Sequence, residues 1–477
     1  MVVKRQEVQW LTRHTLDPLG EVFKWNNRLF RIIYEERKEY VKELFDKGIM
    51  NEMINKKFFV NTWINEFIQI EGEENSLILE HELIFHLSLR HEWSYNMFIS
   101  LRTMVAKFNV WLLEHGYELL DCHYGNVSFV GCHPVYLDLG SIVPSTSCGL
   151  EGWNTFKDKW VDRLKLMEKQ RIDDKLFRML NLTGTGLSMA DLSRLTGSKG
   201  IIKLKTESAK VRDTIEYRIY DNSEESPRKL VQVASNMCRK FLSVDDEKIR
   251  DHKINQYEQY GQFRQIQCQN GMWSNYSNNY VDGESVRGDE RFNFYVSLVK
   301  VLKEKDNIKT SFEIAGNSGI VSQLLLENGI LDYACVSDYD LNAIDKGFLR
   351  CKDNEKINSR ITFAVMDIMT LIEDTGNLAC ERYKSDLVMA LAVTHHLLLT
   401  QKVKLSVIVE ILRKYTNKYV IVEFMPLGLW AGDDEKCPPI PGWYTLEWFI
   451  NGIKEKFEVL KVEQISRNRI CILGKIL

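Results

Sequence analysis

The sequence predicts an α/β protein whose C-terminal half is an open, doubly wound, mostly parallel sheet. Three observations carry this. From about Arg291 onward, apolar runs of four to eight residues alternate with amphipathic segments of helical spacing. The first of those runs passes directly into a turn of small residues and then a helix. The chain closes on two strand-like runs separated only by Ser466 to Asn468, which predicts an antiparallel hairpin at the sheet edge.

The elements follow in order. RFNFYVSLVKVLKEK has helical apolar spacing. SFEIA is a short strand, and SGIVSQLLLENG the helix after its turn. DYACVS and LNAIDKGFLRC repeat the unit. ITFAV, DLVMALA and YVIVEF are further apolar runs of the kind buried parallel strands require. VKLSVIVEILRKY lies between the last two as an amphipathic helix. After TLEWFINGIKEK, the runs FEVLKVEQI and RICILGKIL form the closing hairpin.

Upstream the pattern is less regular. Residues 1–150 mix strand-like runs with amphipathic helices, and 151–265 read as a mostly helical connecting region with an irregular patch near 181–200. A polar stretch from 266 to 290 leads into the regular part, so 266–477 is taken as one domain. A formal net charge of -3 argues against binding nucleic acid through overall charge. No apolar run is long enough to predict a spanning helix, and no secretory signal is visible. The ten cysteines are scattered without a CxxC pair, which predicts a reduced, cytoplasmic chain. HxxxH and CxxC spacings are absent, so no metal is expected in the C-terminal domain.

The turn after the first strand reads Glu313-Ile314-Ala315-Gly316-Asn317-Ser318-Gly319. Small residues let a ligand approach the backbone, and a helix N-terminus is expected to offer free amides. The second strand ends in Ser337-Asp338-Tyr339-Asp340, where a carboxylate can take both hydroxyls of a ribose. The third ends near Met366-Asp367-Ile368, where a carboxylate can accept from an adenine amino group. Asp340 is expected to cap the following helix. The turn lacks the GxGxxG of a dinucleotide site.

This ordered set (acidic-x-small-x-Asn-x-Gly, then Asp, then Asp, then a terminal hairpin) resembles class I S-adenosylmethionine-dependent methyltransferases over residues 266–477. The resemblance implies a Rossmann-like, seven-stranded sheet with S-adenosylmethionine as cofactor. It implies that Glu313 meets the methionine amino group, that Ala315, Gly316, Asn317 and Gly319 form the cofactor turn, and that Asp338 takes the ribose. Tyr339, Asp367, Ile368 and Ala390 would complete the nucleoside site. Ala315 and Asn317 depart from the family's glycines.

The fourth strand leads into Ala392-Val393-Thr394-His395-His396, which in that family borders the transferred methyl group. A histidine can accept a proton from an O or N nucleophile, and either His395 or His396 could do so. Glu423, at the end of the fifth strand, is expected to face the same crevice and hold or deprotonate substrate, or to pair a histidine or a cap. Trp273 and Tyr276 could close over the cofactor.

In the N-terminal part, Asp121-x4-Asn126 followed by Asp138-Leu139-Gly140 resembles the catalytic and metal-binding loops of protein kinase-like phosphotransferases. A hairpin-like stretch at 20–31 and a hinge strand near 78–83 fit an α+β kinase-like domain, which the missing glycine-rich loop and strand lysine mark as degenerate. The reading is a methyltransferase acting on an O or N atom of a small-molecule or glycan-type acceptor, with the N-terminal part shaping the acceptor site and a homodimer possible. Its alternatives are a bifunctional kinase and methyltransferase using Mg-ATP, and a non-catalytic S-adenosylmethionine-binding protein. Nucleic acid is a weaker expectation, since the fourth-strand motif lacks the Asn/Asp-Pro-Pro-aromatic signature.

Overall fold

The computed structural model describes residues 1–11, 19–73, 75–145, 151–162, 246–265, 290–369, 378–430, 434–435 and 437–477. The irregular patch near 181–200 and the aromatics Trp273 and Tyr276 lie outside the described residues.

The N-terminal part begins with β1 (Val2–Val3), β2 (Gln9–Trp10), β3 (Gly20–Trp25) and β4 (Arg28–Ile33). Asn26 and Asn27 both take positive φ, 49° and 59°. That backbone matches the twist of a two-residue hairpin, and asparagine tolerates it better than most residues. Helices α1 (Glu35–Asp46) and α2 (Ile49–Asn55) follow, then β5 (Thr62–Ile64), β6 (Gln69–Ile70) and β7 (Leu77–His81). The result is a five-stranded antiparallel sheet, β2-β3-β4-β7-β5, with β1 paired to β6 beside it. Helix α3 (Tyr95–Glu114) is buried along most of its length, because apolar residues occupy nearly all its faces. Strands β8 (Tyr117–Leu119), β9 (Val127–Val130), β10 (His133–Tyr136) and β11 (Ile142–Pro144) form two small antiparallel pairs. Of the connecting region, α4 (Glu151–Phe156) and α5 (Asp246–Glu258) are described. The buried Lys253 of α5 pairs with the buried Glu118 of β8 at 2.5 Å.

The C-terminal part starts with α6 (Glu290–Asp306). Then come β12 (Thr310–Ile314), α7 (Ile320–Glu327), β13 (Tyr333–Asp338), α8 (Leu341–Cys351) and β14 (Ile361–Val365). After α9 (Ala379–Arg382) follow β15 (Ser385–Ala390), α10 (Leu405–Tyr415) and β16 (Thr416–Phe424). Helix α11 (Leu446–Ile453) leads to the hairpin β17 (Phe457–Ser466) and β18 (Arg469–Ile476). The seven strands lie in the order β14-β13-β12-β15-β16-β18-β17, with only β17 and β18 antiparallel to their neighbours. The order reverses between β12 and β15, so the switch-point crevice opens at the carboxyl ends of those two strands. The central strands are buried on both faces, as their unbroken apolar runs require.

The two parts share a core. Phe129, Tyr136 and Trp160 belong to the same buried cluster as Phe292, Val336, Phe348 and Ile361. Polar contacts reinforce it. Arg382 grips the carboxylate of Glu92 with two nitrogens at 2.9 and 2.6 Å, and the Tyr383 hydroxyl donates to it at 2.6 Å. Asp345 of α8 accepts from the backbone N and side-chain amide of Asn96 at 2.8 and 2.5 Å. The His86 ring meets Ser385 Oγ at 3.0 Å. Among the described residues no helix is long and apolar enough to cross a membrane.

Candidate active site

The turn between β12 and α7 has the demanding shape a cofactor turn needs. Ala315, Asn317 and Gly319 sit at positive φ of 50°, 53° and 74°. Glycine is kept where space is short. A Cβ on Gly316 would stand 2.7 Å from Glu313 Cγ, and one on Gly319 2.6 Å from Val336 Cγ2. The non-glycine positions carry only the dihedral cost, which is about 1–3 kcal/mol for each such residue.

Glu313 is buried at the end of β12, and its carboxylate accepts from Ser322 Oγ at 2.6 Å and Ser322 N at 3.2 Å. Burial pushes its carboxyl up to about 7, against the ordinary 4.5. Asp338 is also buried, and burial raises it to about 6. Its oxygens accept from Asn317 N and Asp340 N, both at 2.9 Å. Asp340 caps α8, accepting from Asn342 N and Ala343 N. Tyr339, between the two acids, is 49% exposed at the mouth. Asp367 Oδ1 accepts from Met369 N at 3.0 Å, shaping the turn after β14.

The amides of the turn itself, ahead of the helix, are used internally. The N–H groups of Gly316, Asn317, Ser318 and Gly319 donate to Ser337 O, Asp338 Oδ2, Asn317 Oδ1 and Gly316 O. The turn therefore offers a ligand space and carboxylates rather than a row of unspent donors. Beside it lies a shallow apolar cleft. Ile314, Ile368, Ala390, Val393 and Leu397 are among its lining residues. Asp338 and Asp367 lie at or just beyond the ends of β13 and β14.

Thr394 anchors the next loop by donating from Oγ1 to the Glu423 carbonyl at 2.7 Å. His395 and His396 follow, their rings 4.1 Å apart. His395 is buried, and burial, with His396 and Arg469 nearby, holds it down to about 3. It is therefore neutral at ordinary pH, as a proton acceptor must be. His396 is half-buried, and burial lowers it too.

Glu423 does not present its carboxylate to the crevice as expected. It is fully buried, with one oxygen accepting from the Tyr295 hydroxyl and the other from Arg469 Nη1 at 2.6 Å. A carboxylate held between a guanidinium and a phenol is occupied as an internal tie between α6, β16 and β18.

In the N-terminal part the three singled-out residues do converge. The Asn126 amide donates to the Asp121 carbonyl at 3.0 Å and to Asp138 Oδ2 at 3.2 Å. His123 Nε2 lies 3.4 Å from Asp121 Oδ2, and Asp138 Oδ1 accepts from Gly140 N at 2.9 Å. Among the described residues no group of three His, Cys, Asp or Glu side chains is placed to hold a metal.

Sequence reading missed Ser322, which holds Glu313, and Arg350 of α8, which donates to Ser318 and Gln323 behind the turn. The one available signal was an arginine on an apolar helix at three residues from Gly347.

The strand order, with its switch point at β12 and β15 and its antiparallel closing hairpin, is that of an open, Rossmann-like sheet. No family model matches the chain. It is similar to the nodulation protein NoeA of Rhizobium meliloti (strain 1021), at 22% identity over 441 residues, covering 86% of this chain and 83% of that protein. Among solved structures, magnesium protoporphyrin IX methyltransferase (ChlM) from Synechocystis PCC 6803 with bound SAH aligns at 17% identity. That alignment covers 43% of this chain and 94% of the other, with a TM-score of 0.33. The N-methyltransferase NodS from Bradyrhizobium japonicum WM9 aligns at 17% identity over 41% of this chain and 97% of its own, with a TM-score of 0.29.

Proposed function

We propose that this chain binds S-adenosylmethionine at the β12–β15 switch point and moves its methyl group to an O or N atom of a small-molecule or glycan-type acceptor. The observation that supports the reading most is the pairing of Glu313 and Asp338 around a strained small-residue turn beside an apolar cleft. Glu313 would take the cofactor's ammonium, and Asp338 its ribose hydroxyls. Ile314, Ile368 and Val393 would enclose the adenine. When bound, S-adenosylmethionine supplies an activated sulfonium methyl, so the protein must align donor and acceptor and exclude water. His395 or His396, which follow β15, would accept the acceptor's proton where one must leave. The N-terminal part, fused to the sheet through Glu92–Arg382 and the shared core, would shape the acceptor's approach.

The test is release of S-adenosylhomocysteine from the full-length protein across a panel of amine, hydroxyl and oligosaccharide acceptors. Release that depends on one acceptor class supports the reading. Cofactor binding with no release on any of them favours the non-catalytic binding protein.

A second reading, phosphoryl transfer in the N-terminal part, rests on the convergence of Asp121, Asn126 and Asp138. It requires saturable binding of ATP with magnesium that Asp138→Ala abolishes.

A further inference from the structure

The cofactor turn is built without two of the glycines its shape favours. Ala315 and Asn317 adopt left-handed backbone all the same, at φ 50° and 53°. A strained turn of this kind persists only where its surroundings over-determine it. Ser337 O and Asp338 hold the amides of Gly316 and Asn317, and a further part of the surroundings comes from one helix. In α8, Gly347 lets the helix approach so closely that a Cβ there would lie 2.6 Å from the Ser318 carbonyl oxygen. Three residues on, and so on the same helix face, Arg350 reaches over the turn. Its guanidinium donates to that carbonyl through Nη2, to Ser318 Oγ at 3.2 Å through Nη1, and to Gln323 Oε1 at 2.7 Å through Nε. The planar fork thus ties the turn to the first helix after it, in a geometry an ammonium cannot reproduce. The same α8 is fixed at its start by the Asp340 cap and on its outer face by Asn96 to Asp345.

We propose that Arg350 is a positioning residue that holds the cofactor turn in its binding shape, doing through hydrogen bonds what glycine at 315 would do through freedom of φ. The proposal rests on the reading of this turn as the S-adenosylmethionine site. It makes a second-site prediction that a general stabilising role does not make. Once residue 315 is glycine, one of the two strained positions is relieved and the turn depends less on the clamp.

The experiment compares wild type, Arg350→Met, Arg350→Lys, Ala315→Gly and the two double variants. One readout is S-adenosylmethionine affinity by calorimetry. The other is hydrogen exchange at the amides of residues 316–319, which needs no ligand. Arg350→Met should weaken binding about tenfold and speed exchange at those four amides, and Ala315→Gly should return affinity to within about twofold of wild type. Arg350→Lys should fall with the methionine variant, and it carries the test if Arg350→Met does not fold. Unchanged exchange in the folded Arg350 variants overturns the proposal, as does loss that Ala315→Gly leaves uncorrected. If wild type binds no S-adenosylmethionine, the cofactor reading falls, while the exchange data still decide whether Arg350 holds the turn.

Discussion

Glu313→Gln separates the cost of building this site from its use. Burial carries the Glu313 carboxyl from the ordinary 4.5 to about 7, with Ser322 and Arg291 only partly offsetting it and Asp338 adding to it. A folded-state value above the unfolded one means stability is fully present below the unfolded value and is lost as pH rises through the folded value. At about 1.4 kcal/mol per pH unit, the buried charge costs about 3 kcal/mol in full. Most of this, about 2–3 kcal/mol, falls between about pH 5 and about pH 8. Glutamine keeps an oxygen for Ser322 N and Oγ but cannot ionise. Any cost of its extra amide is independent of pH, and the Asp338 contribution remains in both proteins. Urea unfolding of the ligand-free proteins across that pH range should show wild type losing about 2–3 kcal/mol more than the variant. The variant should also lose S-adenosylmethionine affinity. In wild type, affinity should rise with pH through about 7, since the cofactor's ammonium favours the carboxylate form. Equal pH slopes in the two proteins would refute the reasoning.

Three further outcomes follow from the same contacts. Glu92→Ala leaves the buried Arg382 without its carboxylate and should cost about 3–5 kcal/mol, seen as a lower thermal midpoint. Because the core is continuous, the described parts should unfold in one calorimetric transition, and two well-separated transitions would contradict the shared core. Tyr295→Phe removes a donor from the internal Glu423 carboxylate and should cost about 1–3 kcal/mol in urea unfolding while leaving S-adenosylmethionine affinity within about twofold.

The seven-stranded sheet was legible in the sequence because its signals are local. Apolar runs, amphipathic helices and a short hairpin loop each fit within about 15 residues. The positions of Glu313, Asp338 and Asp367 followed from strand ends, and the Asp340 cap from its place before α8. What was not legible depends on distant partners. Nothing in the sequence ties Glu92 to Arg382 across 290 residues, or Tyr295 to Glu423 across 128. The expected orientation of Glu423 failed for that reason. Side chains alternate along β16, but which neighbour claims a buried acid is decided by α6 and β18. That the amides of residues 316–319 are taken by Ser337 O, Asp338, the Asn317 side chain and Gly316 O likewise depends on the folded arrangement of β13 and the turn.

The central claim is that Asp338 marks a nucleoside site for S-adenosylmethionine, and calorimetric titration of that cofactor into wild type and Asp338→Ala tests it most directly. Wild type should bind saturably and the variant about 100-fold more weakly, the scale of two hydrogen bonds to a charged group. Equal affinity in the two proteins, or no binding by cofactor-free wild type, would contradict it.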